Sequence, residues 1–180
     1  MRAGKKRALT SLTGLILGVC LLTGCASGAE AANTTEQGAD RIVIGDVELE
    51  IEQIEYRTQV QPPDPVGYYD YYPETEGYHY LVLSGRATNN GETDFDPECL
   101  HVEAQAGRTV REGKLEIVTA PGAEFWDVLP ANETEVAWSY YLFAVMKDSE
   151  EADSISIFYN HDFSTPGEDE EWDEEIKINL

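Results

Sequence analysis

Basic residues are scarce in this sequence. Lysine and arginine number 12 against 35 aspartates and glutamates, for a net charge of −23. Such a chain repels the phosphates of nucleic acid and anionic lipid head groups, so nucleic acid is excluded as a partner. Histidine is rarer still. His79, His101 and His161 are the only three, and none stands at metal-ligand spacing from another. No serine lies in a nucleophile-elbow context. His161-Asp162 is at most half of a catalytic pair, because no nucleophile, base and orienter come together. The chain is therefore not expected to be an enzyme. A carboxylate-based hydrolase stands last of three readings, since so acidic a sequence always contains carboxyl pairs. Long apolar runs are missing apart from one near the start, and no amphipathic helical period is present. Cysteine is limited to Cys20, Cys25 and Cys99.

The one apolar run has the layout of a secretory signal. Arg2, Lys5, Lys6 and Arg7 form a charged head, and Ala8 to Leu22 an apolar stretch broken by Thr10, Ser11, Thr13, Gly14 and Gly18. It is short of the ~20 apolar residues that a membrane span needs. Its last residues, Leu22-Thr23-Gly24-Cys25, resemble the lipobox of bacterial lipoproteins. The resemblance implies that residues 1–24 are removed and that Cys25 becomes the first residue of the mature protein. Its thiol would carry a diacylglycerol, holding the chain on the outer face of the bacterial cytoplasmic membrane. Two acyl chains suffice for that, at about 0.8 kcal/mol per buried CH₂. Loss of the four basic residues in the signal leaves eight against 35 acids, a net of −27. With Cys20 removed and Cys25 lipidated, Cys99 is alone, so the domain depends on its core and not on a disulfide. Cys99 reads as a half-buried strand residue.

Residues 26–40 contain no large apolar side chain and read as a flexible tether, since nothing there offsets chain entropy on burial. Residues 41–180 then form one domain of period-two patterns. Val47, Leu49 and Ile51 alternate with Glu48, Glu50 and Glu52 before the register slips to Ile54 and Tyr56. A β-bulge near Glu52-Gln53 accounts for the slip. Tyr78 to Thr88 is the strongest strand, ended by Asn89-Asn90-Gly91. Further strands are expected at Leu100–Ala106, at Leu115 and Ile117, at Val136–Val145, at Ile155–Phe158 and at Ile176–Leu180. The Val136–Val145 strand is apolar on both faces and should be central. Phe125-Trp126 is expected to plug one end of the core. Seven to eight short strands at this spacing describe an all-β sandwich or barrel.

Two landmarks add a resemblance. The run from Tyr80 to Gly91, an extended strand followed by Asn-Asn-Gly, is similar to one in a large group of bacterial lipoproteins of unknown function. Leu129-Pro130-Ala131-Asn132-Glu133-Thr134 resembles the Pro-Gly-Glu-Thr turn of the same group, with Ala131-Asn132 where glycine is usual. The group has an immunoglobulin-like antiparallel β-sandwich, similar to small secreted mycobacterial antigens. The resemblance implies that fold here, and no activity.

The most unusual stretch lies between the first long strands. Pro62, Pro63, Pro65 and Pro73 rule out a central strand from Gln61 to Gly77. This long loop and its exit hold Tyr68, Tyr69, Tyr71, Tyr72 and Tyr78. Tyrosine offers a large contact area with a polar handle at low entropy cost, as binding loops require. The leading expectation is a non-catalytic binding module whose tyrosines contact a protein or a cell-wall glycan, with Trp126 or Trp172 near them. The opposing one is that the rings simply cover one end of the sandwich. The second functional reading is a Ca²⁺-dependent envelope protein. Its ligands would come from the acidic loops: Asp94, Asp96 and Glu98 in one, Asp169, Glu171 and Asp173 in another. Neither loop has EF-hand spacing, and charge runs are commonly solvated. Beyond Ca²⁺, no cofactor is expected.

Overall fold

The computed structural model describes residues 33–37, 40–131, 137–167 and 171–180. Ten strands carry the fold: β1 (Asn33–Gln37), β2 (Arg41–Ile44), β3 (Val47–Arg57), β4 (Tyr78–Asn89), β5 (His101–Ala106), β6 (Thr109–Val118), β7 (Phe125–Trp126), β8 (Trp138–Lys147), β9 (Ser154–Tyr159) and β10 (Glu174–Asn179). One 3₁₀ turn, Pro97–Cys99, precedes β5. No helix among the described residues is long and apolar enough to cross a membrane.

The hydrogen-bonded path runs β1-β10-β9-β5-β6-β8-β4-β3-β2, with β7 added on β6. Every pair is antiparallel except β1 with β10. The path folds over on itself. Ile42 and Ile44 of β2, at one end, share a core with Ile176 and Ile178 of β10, near the other. Between them lie Leu49, Leu81, Leu83, Leu115, Ile117, Leu142, Ile155 and Ile157, all buried. The inward residue of each alternating pair thus meets its counterpart from the opposite layer, and the result is the β-sandwich expected from the periodicity.

Details follow the sequence closely in places. The β3–β4 register shifts between Ile51 and Gln53, where the slip in apolar alternation placed a bulge. β8, apolar on both faces, sits between β4 and β6. Four expectations need correction. Asn33–Gln37, read as tether, pairs with β10 from Asn33↔Glu174 to Gln37↔Ile178. The pairing is a parallel backbone ladder. The strand marked by Leu115 and Ile117 is ten residues long, because Thr109–Lys114 continues it through pairing with β5 and β8. Cys99 ends the 3₁₀ turn rather than lying in a strand, and its Sγ donates to the Asp96 carbonyl at 2.8 Å. Phe125-Trp126 does not plug the core. It pairs with Ile117 and Val118; Phe125 packs with Val118 on the outer face of the sheet, and Trp126 is exposed.

That outer face matters most. β4 and β8 bury both sides, and their outward side chains form a second cluster of Tyr80, Val82, Tyr141 and Phe143 with Val118 and Val60. This cluster is covered by the loop between β3 and β4.

Candidate functional site

The β3–β4 loop is fastened at three points. Val60 and Tyr72 exchange backbone hydrogen bonds, with Val60 N to Tyr72 O at 3.0 Å and Tyr72 N to Val60 O at 2.8 Å. Val60 is fully buried in the second cluster, and Tyr72 packs beside it. The Tyr80 hydroxyl donates to the Pro73 carbonyl at 2.9 Å, which pins the exit. At the entry, Asp64 N donates to Gly122 O at 2.9 Å. Gly122 has φ +74, and a Cβ there would come within 3.1 Å of Pro63 Cγ, so glycine permits this contact.

Between the fastenings the loop turns its side chains outward. Val66 is 75% exposed, Tyr68 93% and Tyr71 51%. Tyr69 is half-buried and lies 5.9 Å from the Tyr71 ring. Tyr72 is different in kind. Its ring meets Phe143 at 4.6 Å and Phe125 at 6.2 Å, and its hydroxyl donates to Glu116. Burial, reinforced by the Glu116 carboxylate, raises the Tyr72 phenol well above its ordinary value. Tyr78, the first residue of β4, lies apart, in an open hollow with His79 and Asp148. The structure thus divides the five tyrosines. Tyr68, Tyr69 and Tyr71 form an outward tip, Tyr72 is the anchor beneath it, and Tyr78 stands elsewhere.

A cleft of about 210 Å³ opens beside the tip, lined by Asp70, Tyr72, Pro97, Glu98, Lys114, Glu116, Phe125, Trp126 and Asp127. β6 contributes Lys114 and Glu116, two steps apart and therefore on one face. Lys114 Nζ is 2.8 Å from Glu98 and 3.0 Å from Glu116. Burial pulls the Lys114 ammonium down, but the two carboxylates more than offset it and hold its pKa above the ordinary value. Trp126, 46% exposed, forms one wall. Of the two tryptophans expected near the tyrosines, Trp126 shares this cleft with Tyr72. Trp172 instead stacks on His101, with ring centroids 6.1 Å apart.

The acidic loops are occupied locally. Asp94 Oδ1 accepts from Ala131 N at 2.9 Å, and Asp96 Oδ1 from Glu98 N at 2.9 Å. Glu98 faces Lys114. Asp173 Oδ2 accepts from His161 N at 3.0 Å, Glu171 is exposed, and Asp169 lies outside the described residues. Among the described residues no group of three or more His, Cys, Asp or Glu is placed to hold a metal ion. His161 and Asp162 have different hydrogen-bond and ion-pair partners: His161 Nε2 faces Glu174 at 3.4 Å, while Asp162 accepts from Ser164. Cys25 also lies outside the described residues.

Sequence reasoning missed the cleft. Lys114, Glu116 and Glu98 are ordinary charged residues in the sequence, and only the β6 register and the 3₁₀ turn bring them under Tyr72. The spacing of Lys114 and Glu116 about Leu115 was the available signal.

No family model matches the chain, and no curated protein matches it. Among solved structures it is similar to an uncharacterized beta-sandwich protein from Clostridium difficile 630, at 13% identity and a TM-score of 0.55. The match covers 86% of this chain and 99% of that one, so what the two chains share is the sandwich fold.

Proposed function

We propose that this protein is a lipid-anchored, extracytoplasmic binding module with an immunoglobulin-like sandwich, non-catalytic, whose contact surface is the tip of the β3–β4 loop. The observation that carries the reading is the contrast within that loop. Its base is fixed by Val60, Tyr72 and Pro73, while Val66, Tyr68 and Tyr71 are left in water. Exposing aromatic area costs solvation and returns nothing to folding. A fixed base removes much of the ordering entropy that binding otherwise incurs. Tyrosine and tryptophan are the side chains that dominate such contacts. The lipid anchor rests on Leu22-Thr23-Gly24-Cys25 following a basic and then apolar run.

The test uses the full-length protein in proteoliposomes, incubated in parallel with purified cell-wall glycan and with solubilised envelope proteins under cross-linking. Tyr68→Ala/Tyr71→Ala should reduce capture at least tenfold. Its melting temperature should stay within a few degrees of wild type, because exposed side chains usually contribute within about 0.5 kcal/mol. Equal capture by the variant, or its failure to fold, would refute the assignment of the tip as contact surface.

A further inference from the structure

Resting on the anchor and the loop surface proposed above, we infer that the loop tip meets the outward-facing part of a protein embedded in the same membrane. The chain enters the fold at Asn33, where β1 begins opposite Glu174, the first residue of β10. Glu174 pairs in turn with Tyr159, the last residue of β9, so the β9–β10 connection lies at the entry end. Its Phe163 ring stands 5.6 Å from Phe95 in the β4–β5 connection. A Cβ on Gly45, in the β2–β3 turn, would come within 2.9 Å of the same ring. Both layers of the sandwich therefore share this end. β6 runs toward it: its last residue, Val118, pairs with Ser139, and Ser139 with Arg86, near the close of β4. The β6–β7 turn, residues 119–124, accordingly projects from the entry end. The β3–β4 loop is led to that turn. Asp64 N donates to Gly122 O at 2.9 Å on the way out, and Asp70 lines the cleft with Phe125 and Asp127 on the way back. Val66 and Tyr68 lie between these two points.

The tether limits how far this end stands from the bilayer. Cys25 is eight residues ahead of Asn33, at most ~29 Å of extended chain. β4 alone, at twelve residues, measures about 40 Å. The far end carries the β5–β6 turn, where Gly107 N donates to Asp153 of the β8–β9 turn at 2.7 Å. A cell-wall glycan outside the domain meets that far end first, whereas the tip faces back toward the membrane. Lipid itself fits the tip poorly. The exposed Asp64 and Asp70 flank it, and a net charge of −23 repels anionic head groups. A protein surface suits it better, since tyrosine is among the side chains that protein–protein hot spots bury. Sharing one membrane also raises the effective concentration of the two proteins. That offsets the small contact area that Val66, Tyr68 and Tyr71 provide.

Two measurements on the full chain, processed and acylated in its own cells, test this. In phosphatidylcholine vesicles with an acceptor dye on the head groups, a donor dye is placed on Val66→Cys at the tip or on Arg108→Cys at the far end. Cys99 is buried, so the label goes to the introduced thiol. Energy transfer from position 66 should exceed that from position 108 by about twofold or more, given the ~40 Å between the two ends. In living cells, Val66→p-benzoylphenylalanine should photo-cross-link to a protein that mass spectrometry identifies as having membrane-spanning segments. The adduct should survive muramidase and fall at least fivefold when Tyr68→Ala/Tyr71→Ala is added. The same photoprobe at position 108 should give at most a fifth as much. Equal transfer from the two positions, a muramidase-sensitive adduct, a lipid adduct or no adduct would each overturn the inference. If it fails while capture of purified glycan still depends on Tyr68 and Tyr71, the partner class fails alone and the loop reading stands. If the vesicles do not retain the chain, the anchor reading has failed and this inference with it.

Discussion

Tyr72 shows how one side chain separates scaffold from surface. It lies among four tyrosines within five residues, yet it alone packs on Phe143 and Phe125 and donates to Glu116. Replacing a fully buried aromatic ring by alanine costs about 3–5 kcal/mol. Tyr72 is only half-buried, so Tyr72→Ala should cost about 2–3 kcal/mol in urea denaturation. Tyr72→Phe keeps the ring and loses one donor that Lys114 partly replaces, and should cost about 1 kcal/mol. Equal costs for the two would mean that the hydroxyl, not the ring, holds the loop. The sequence could not make this distinction. In an irregular loop no period assigns inside and outside, and the Val60–Tyr72 bridge that does so spans twelve positions. Cys99 was legible as an unpaired thiol, but it was read as a half-buried strand residue and is instead buried at the end of a 3₁₀ turn. Burial, then the charge of Asp96, raises its thiol to about 11, which leaves it protonated and unreactive at neutral pH.

At the scale of elements, the β3–β4 pair depends on close approach. Gly85 faces Ile51 at the bulge, and a Cβ on it would lie 1.9 Å from the Glu50 carbonyl oxygen. Backbone must move to admit it, so Gly85→Ala should destabilise by about 1–3 kcal/mol or more. A denaturant midpoint unchanged from wild type would show that the bulge relaxes freely. The bulge was readable because Val47, Leu49, Ile51, Ile54 and Tyr56 carry the register in their own spacing. β8 was readable as central because both its faces are apolar. β1 was not: Asn33–Gln37 is wholly polar, and its place follows from β10 offering an open edge. The first half of β6 was hidden because Thr109 to Lys114 holds three charged residues and only one large apolar side chain, Val110, giving no apolar face to follow. The second apolar cluster was half visible. Tyr80 and Val82 alternate with Leu81 and Leu83 along β4, but nothing local tells that a loop will cover them.

For the molecule as a whole, charge sets the response to acid. Most of its carboxylates repel one another, and protonating them relieves that strain. Glu150 opposes the trend. The Arg111 guanidinium binds it at 2.7 and 2.5 Å, and Lys147 N donates to it at 3.1 Å. Arg111 above all holds its carboxyl down at about 2, against an ordinary value of 4.5. A depressed folded pKa gives stability that is complete above the ordinary value and is lost as pH falls through the folded one. Wild type should therefore exceed Glu150→Gln in stability at pH 6, and the gap should close between about 4.5 and 2. Urea denaturation of both proteins across that range checks it. A gap that persists at pH 2 would mean that the pair contributes through packing rather than charge.

The parallel pairing of β1 has a mechanical consequence. The chain enters at Asn33, beside Glu174, and its hydrogen bonds to β10 continue from there to Gln37. A pull on the preceding residues, directed back along β1, loads those bonds together in shear instead of opening them one at a time. If the N-terminal side is anchored and a partner grips the β3–β4 loop, as proposed, tension between them would reach the sandwich through a clamp whose bonds share the force. Cys25 lies eight residues ahead of Asn33, at most ~29 Å of extended chain. With an anchor at Cys25, as proposed, β1 would be the first part of the fold to bear load.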